Sequence, residues 1–333
     1  MNRPKICLLF AGGTIGMVRS PHTGVLQPVG NSAEIIQHFP EIQKHVQLDF
    51  KMVVNIDSSN MTPQIWTQLA KTIHQLYDKY DGFVVAQGTD TMAYTASAIS
   101  YALQNLSKPI VFTGSLIPLN ETGSDGRNNL VYACLTATLD IAEVCIVLAN
   151  RIMRGNRAKK YHESFSAIFH SPNFPYLGEL GRPIVLNEWR KRRRKRMLKF
   201  QPNFNSNISV LKLFPGFDPM IIEKVFERNA QGIIIEGFGP GNVPTLENSI
   251  IPQIEKATRL GIPIVIATQM EKGITNLTAY EAGYKALKAG AISSKDMTTE
   301  ATIVKLMWAL AKTKNFSEIK KIIEKNLAGE MSS

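Results

Sequence analysis

Lys5-Ile6-Cys7-Leu8-Leu9-Phe10 is a short apolar run that leads directly into Ala11-Gly12-Gly13-Thr14-Ile15-Gly16. A run apolar at nearly every position suits a strand buried on both faces of a parallel sheet. The theme recurs: residues 47–55, 82–86, 109–113 and 143–149 are further strand candidates, the last of them closing this half, with helical patterns between them. Helices are expected near 32–39, from Thr62-Pro63 to about 80, up to about 106, and from about 124 to 142. Strands alternating with helices predict an α/β fold with a mainly parallel sheet flanked by helices. In such a sheet, ligands bind just past the carboxyl ends of the strands.

Four of those ends share one character. They are Gly12 to Thr14, Asp57-Ser58-Ser59, Gly88-Thr89-Asp90-Thr91, and Gly114-Ser115. Between them they are rich in glycine and side-chain oxygen. Paired glycines let backbone turn sharply and approach a ligand with N–H groups exposed. A cluster of such tips at one sheet edge predicts a small-molecule site. Residues 23–28 follow the first glycine turn and read as a loop placed to cover that site.

From residue 208 the alternation resumes, with strands expected at 208–214, 232–237 and 262–268. Helices are expected near 219–229, 247–260, 279–289, 298–313 and 317–326. The chain therefore divides into a larger N-terminal α/β domain, 1–188, a basic linker, 189–206, and a smaller C-terminal α/β domain, 207–333. The formal net charge of +11 suggests a nucleic-acid partner at first sight. However, residues 190–196 are an unbroken run of seven basic residues, and taking those seven from the +11 leaves +4. The excess is local and reads as a solvated linker face, so a nucleic-acid partner is not expected. The longest apolar runs fall far short of the roughly 18 residues of a membrane span. Met1-Asn2-Arg3-Pro4-Lys5 leaves no room for a separate leader, which points to the cytoplasm. Cys7, Cys134 and Cys145 lie in apolar segments without paired spacing and read as buried thiols.

Neither Gly12-Gly13-Thr14-Ile15-Gly16 nor Gly237-Phe238-Gly239-Pro240-Gly241 fits dinucleotide or phosphate-loop spacing, and His162 and His170 lack metal-site spacing. No cofactor or metal is expected. The sequence offers hydroxyl chemistry instead. A threonine hydroxyl is a weak nucleophile that needs a base or relay beside it. Asp90, adjacent to Thr89, with a lysine from the basic segment after residue 150, supplies the parts of one.

The two threonine motifs, Ala11 to Gly16 and Gly88 to Thr91, resemble those of the bacterial-type L-asparaginases, and of their cytoplasmic type I group in particular. Asp57-Ser58-Ser59, Thr113-Gly114-Ser115, Ser124-Asp125-Gly126, Arg154-Gly155-Asn156-Arg157, Ser171-Pro172-Asn173, Gly239-Pro240-Gly241-Asn242 and the segment Asp296 to Thr302 extend the resemblance over nearly the whole chain. The resemblance implies hydrolysis of asparagine through a β-acyl ester on Thr14, with Thr89, Asp90 and Lys160 as a second triad and Tyr280 polarising Thr14. It implies that Ser58, helped by Asp57 and Ser59, holds the α-carboxylate, that Asp90 faces the α-ammonium, and that the backbone of Gly88 and Ser115 lines the pocket. It also implies a homodimer or homotetramer and no cofactor.

The chain departs from the family pattern at several positions. Gln87 stands where histidine is usual, and Val25 stands where many relatives carry a lid tyrosine. Lys159 and Met270 replace residues of an effector site, so control by asparagine is not expected. Two other readings stay open: an ammonia-supplying subunit of a tRNA-dependent amidotransferase, and an amino-acid-binding module without turnover.

Overall fold

The structure, a computed structural model, describes residues 3–20, 22–28, 40–162 and 168–332. The helix expected at 32–39 lies outside the described residues. The chain forms two compact units, Met1–Pro202 and Asn203–Ser333.

The first unit is built on eight strands: β1 (Lys5–Gly12), β2 (Gln47–Ile56), β3 (Gly82–Ala86), β4 (Ile110–Thr113), β5 (Val144–Leu148), β6 (Arg151–Arg154), β7 (Gly178–Glu179) and β8 (Val185–Leu186). Their order across the sheet is β8-β7-β6-β5-β4-β3-β1-β2. The five strands β2-β1-β3-β4-β5 run parallel. Beyond β5 the sheet continues antiparallel through β6, β7 and β8. The expectation that the strand at 143–149 closes this half is therefore corrected. The added strands are two to four residues long, too short to leave a period in the sequence. Part of the stretch expected as a loop is a strand instead, with Leu26–Pro28 pairing antiparallel with Met17–Arg19.

Alternation along β1 sends Ile6, Leu8 and Phe10 to one face of the sheet. There they join Val84, Val111 and Cys145 in one core. Helix α1 (Pro63–Leu76) starts where Thr62 accepts from the Ile65 amide and Pro63 takes a position needing no N–H. It buries Trp66, Leu69, Ala70 and Ile73, one stripe at helical spacing. Burial of such large apolar side chains contributes about 1.5–3 kcal/mol each. Helix α2 (Met92–Ala102) buries nearly every residue, because its side chains are small and Ser97 and Ser100 donate back to the Ala93 and Ala96 carbonyls. Helix α3 (Gly126–Thr136) places Leu130, Ala133 and Cys134 in the same core as Ile6. The three cysteines are buried free thiols, and burial pushes Cys7 and Cys134 up to about 12.

The segment 189–206, expected as a linker, is bound to the first unit as far as Pro202. Arg193 donates to the Leu139 and Ala137 carbonyls at 2.7 and 2.9 Å, just past the end of α3. Carbonyls at a helix end lack intrahelical partners, and a guanidinium satisfies them well. Lys199–Phe200 pairs with Leu103–Gln104, and Phe200 stacks on His74 of α1 at 4.0 Å.

The second unit has a four-stranded parallel sheet of β9 (Ile208–Lys212), β10 (Gly232–Gly237), β11 (Ile264–Thr268) and β12 (Ile292–Ser293), in that sequential order. Helices α4 (Met220–Glu227), α5 (Ile251–Arg259) and α6 (Glu281–Lys288) give Ile222, Ile254 and Ala286 to one core with Ile233, Ile235, Ile264 and Ile266. Helix α7 (Thr299–Lys312) packs Leu306 and Leu310 against Gly232. Helix α8 (Phe316–Glu324) follows it and buries Ile319 and Ile323.

Candidate active site

The strand order of the first sheet selects where a ligand binds. The chain places β2 on one side of β1 and β3 on the other, so the connections leave β1 and β3 in opposite directions. That reversal opens a crevice at the carboxyl ends of β1 and β3. The order of the second sheet never reverses. Thr14 follows β1 directly and Thr89 follows β3, so both threonine tips flank the crevice.

The tips are packed backbone to backbone. Gly13 has φ +90°, and a Cβ there would fall 2.2 Å from the Gly88 amide nitrogen. A Cβ on Gly88 would fall 2.6 Å from Ser58 Oγ. Glycine is thus required at both positions, and the ends of β1, β2 and β3 converge because neither residue has a side chain. The Gly13 amide also donates to the Ile56 carbonyl at 3.1 Å.

Thr14 opens a short 3₁₀ turn, Thr14–Gly16, and is half-buried. Its hydroxyl has no hydrogen-bond partner among the described residues. Thr89 is buried, and Lys160 Nζ donates to its Oγ1 at 2.8 Å. The same ammonium donates to Asp90 Oδ1 at 2.5 Å. The structure therefore brings Thr89, Asp90 and Lys160 into one hydrogen-bonded trio.

Lys160 reaches this position on a small ribbon, Lys159–Lys160 paired with Phe169–His170. The ribbon is footed in a buried cationic turn. Arg154 is ion-paired with Glu143 at 2.5 Å and lies 4.2 Å from the Phe174 ring, over which Arg157 also stacks at 5.1 Å. Two buried guanidiniums against one aromatic ring hold the direction in which the chain leaves β6.

At the end of β2, the Asp57 carboxylate accepts from the Ser59 hydroxyl at 2.6 Å and the Ser59 amide at 2.8 Å. These bonds hold the Asp57 carboxyl below its ordinary range, because they favour its ionised form. Ser58 is buried, and its carbonyl accepts from the Thr91 hydroxyl at 2.8 Å. Beyond β4, Ser115 is buried with an unpartnered hydroxyl. That loop is held by Asp125, which accepts the Leu116 and Ile117 amides at 3.0 and 3.1 Å, and by Asn129, which donates to the Gly114 carbonyl at 2.9 Å. Tyr280 belongs to the second unit, where it is exposed at the N-cap of α6.

Several residues that position the site carry no role in the sequence reading. Gln87 donates from Nε2 to the Thr91 and Thr95 hydroxyls at 3.3 and 3.0 Å, while its Oε1 is buried without a partner. Trp66 Nε1 donates to the same Thr95 hydroxyl at 3.1 Å. Asp125, Asn129 and Arg154 lie within motifs that sequence inspection marks, but their bonds are nonlocal and only the fold reveals them. Among the described residues no group of His, Cys, Asp and Glu is arranged to hold a metal ion, and no helix is long and apolar enough to cross a membrane.

Comparison with known families matches residues 5–192 to the N-terminal asparaginase domain and residues 207–323 to the glutaminase/asparaginase C-terminal domain. The chain belongs to the asparaginase family. This asparaginase-family chain is 37% identical to L-asparaginase 1 of Escherichia coli strain K12, over 100% of this chain and 99% of that protein. The crystal structure of L-asparaginase I from Vibrio cholerae superposes with a TM-score of 0.91 at 37% identity, covering 99% of this chain and 100% of that one. Another relative is a glutamyl-tRNA(Gln) amidotransferase component from Aeropyrum pernix, 35% identical over 98% of this chain and 79% of that protein.

Proposed function

We propose that this protein hydrolyses L-asparagine to L-aspartate and ammonia through an acyl ester on Thr14. The observation that carries the proposal is the Lys160–Thr89–Asp90 trio at the crevice where the Thr14 loop ends. Family membership and two full-length L-asparaginase relatives support the substrate class.

In the first step Thr14 Oγ bonds to the side-chain amide carbon. The carbon–nitrogen bond breaks, and ammonia leaves with the proton that Thr14 gives up. In the second step a water oxygen bonds to the same carbon, the ester bond to Oγ breaks, and Thr14 regains a proton. Thr89 and Lys160 are assigned to the water: with Lys160 acting as the neutral amine, Thr89 Oγ1 takes a proton from the water as its own hydroxyl proton passes to Lys160 Nζ, 2.8 Å away. Backbone N–H groups near Thr14 and Thr89 are assigned to the developing oxyanion.

Ser58, with Asp57 and Ser59, is assigned to the α-carboxylate, Asp90 to the α-ammonium, and the backbone of Gly88 and Ser115 to the amide end. Tyr280 is assigned to polarise Thr14. A homodimer or homotetramer in the cytoplasm completes the reading. Similarity to the glutamyl-tRNA(Gln) amidotransferase components favours a second reading, in which the released ammonia is handed to a tRNA-bound acceptor.

The test is ammonia release from free asparagine by the purified chain without tRNA. Release that Thr14→Ala abolishes supports the proposal. Wild-type protein that releases ammonia only with tRNA and partner proteins supports the second reading. Binding without turnover makes the chain a binding module.

A further inference from the structure

Residues 190–196 are unusual in being both highly charged and firmly held. Residues 191–198 form neither helix nor strand, yet the backbone is tied down at Lys191 and Arg193. The Lys191 amide donates to Glu143 Oε1 at 2.7 Å, the Lys191 carbonyl accepts from the Ala142 amide at 2.7 Å, and the Arg193 amide donates to Asp140 Oδ1 at 2.9 Å. Two cations of the run are consumed by this anchoring. Arg190 donates to the Asp140 carbonyl, and Arg193 donates to the Asp81, Ala137 and Leu139 carbonyls. Four other cations of the run are different. Arg192, Arg194, Lys195 and Arg196 are exposed, and none has a hydrogen bond or ion pair with another described residue. Four unneutralised cations within about 14 Å of extended chain repel one another. The anchors at Lys191 and Arg193 hold the start of this segment against the first unit and limit how far that repulsion can be relaxed.

We infer that this ridge binds a single-stranded polynucleotide, with the phosphates along Arg192, Arg194, Lys195 and Arg196 and a base stacked on Trp189. A linear polyanion carries a negative charge every few ångströms, and a dense cationic segment tethered at Lys191 and Arg193 meets it at reduced ordering cost. Trp189 stands at the head of the ridge with 55% of its surface exposed, whereas Trp66 and Trp308, the other two tryptophans, are buried. An exposed aromatic beside a cationic track is the arrangement by which unpaired bases are held. The ridge is also narrow. Asp81 and Asp140 lie against Arg193 on its protein side, so it is bordered by negative charge. That border disfavours a flat anionic bilayer, which needs a broad basic face or an amphipathic helix. The small remaining net charge away from the run does not weigh against this local site.

The experiment uses the full chain with oligouridylate, oligothymidylate and phosphatidylserine vesicles as separate probes. Oligonucleotide is expected to quench the tryptophan emission, with the response lost in Trp189→Phe. Four phosphate contacts give a log–log salt slope of about −3, which is roughly 50-fold weaker binding between about 50 and 200 mM salt. The combined variant Arg192→Gln, Arg194→Gln, Lys195→Gln and Arg196→Gln is expected to lose that binding while keeping the parent's unfolding midpoint and its turnover of asparagine. Tighter binding of the ribo-oligomer identifies RNA as the source, and tighter binding of the deoxy-oligomer identifies DNA. Binding unchanged in the combined variant, no binding of either oligomer at low salt, or binding of the vesicles alone would each overturn the inference. None of these outcomes depends on the assignment of Thr14.

Discussion

Lys160 is the residue on which the proposed chemistry turns. Its ammonium bonds both Thr89 Oγ1 and Asp90 Oδ1, so replacing it with methionine keeps much of the stem and removes both bonds at once. General acid–base groups contribute typically 10²–10⁴-fold, and a fall in kcat of about that size is expected for Lys160→Met. Steady-state ammonia release checks it, and kcat within a few-fold of the parent would exclude the relay. Gln87 acts one layer further out. Through Thr91 it steadies the Ser58 carbonyl, and hence the loop assigned to the substrate carboxylate. A net hydrogen bond is worth about 0.5–1.5 kcal/mol, so Gln87→Leu is expected to raise KM up to about tenfold with kcat nearly kept. A fall in kcat at unchanged KM would place Gln87 elsewhere in the mechanism. Thr14, Thr89 and Asp90 were legible in the sequence because glycine and hydroxyl residues at strand ends are a local pattern. The residues alone offered only some lysine after residue 150, and Lys160 in particular came from the family resemblance, because its contact joins residues about 70 apart through a two-residue ribbon.

At the scale of elements, the long apolar strands and the capped helices could be read directly. Residues 82–86 and 232–237 form strands with the expected bounds, since each has an apolar β-branched or aromatic core next to turn residues. Elements that depend on distant partners left no such trace, among them β6 to β8 and the anchored basic segment. The end of the chain is a further case. Lys305 on α7 is fully buried and bonds Glu330 Oε1 at 2.6 Å, together with the Ile323 and Lys325 carbonyls. Burial pushes the Lys305 ammonium down. Burial alone would push Glu330 up, but Lys305 and the Leu327 and Ala328 amides outweigh it and hold Glu330 below its ordinary range. A lowered carboxyl contributes stability that is present above its unfolded value and lost as pH falls through the folded one. Stability that Glu330 supplies is therefore expected to disappear on the acid side, below the ordinary carboxylate range. Glu330→Ala strands a buried cation and is expected to cost about 3–5 kcal/mol at neutral pH. Urea unfolding of the two proteins across pH measures both effects. A cost that stays constant into strong acid would contradict the ion-pair account.

For the whole molecule, the decisive property is strand order. A reversal between β1 and β3 gathers three loops, distant in sequence, at one crevice, and the absence of side chains at Gly13 and Gly88 lets them close on one another. Alternating strands and helices announced the parallel sheet, but the order of strands across it is not written in any single segment. The central claim is that two hydroxyls in that crevice divide the labour, with Thr14 carrying the acyl group and Thr89 serving the water that removes it. Thr89→Val leaves the first step possible and blocks the second. The most direct measurement is intact-protein and peptide mass spectrometry of Thr89→Val mixed with asparagine. The account expects an aspartyl adduct that builds up on the peptide containing Thr14. An adduct on a different residue, or full turnover with unmodified protein, would contradict it.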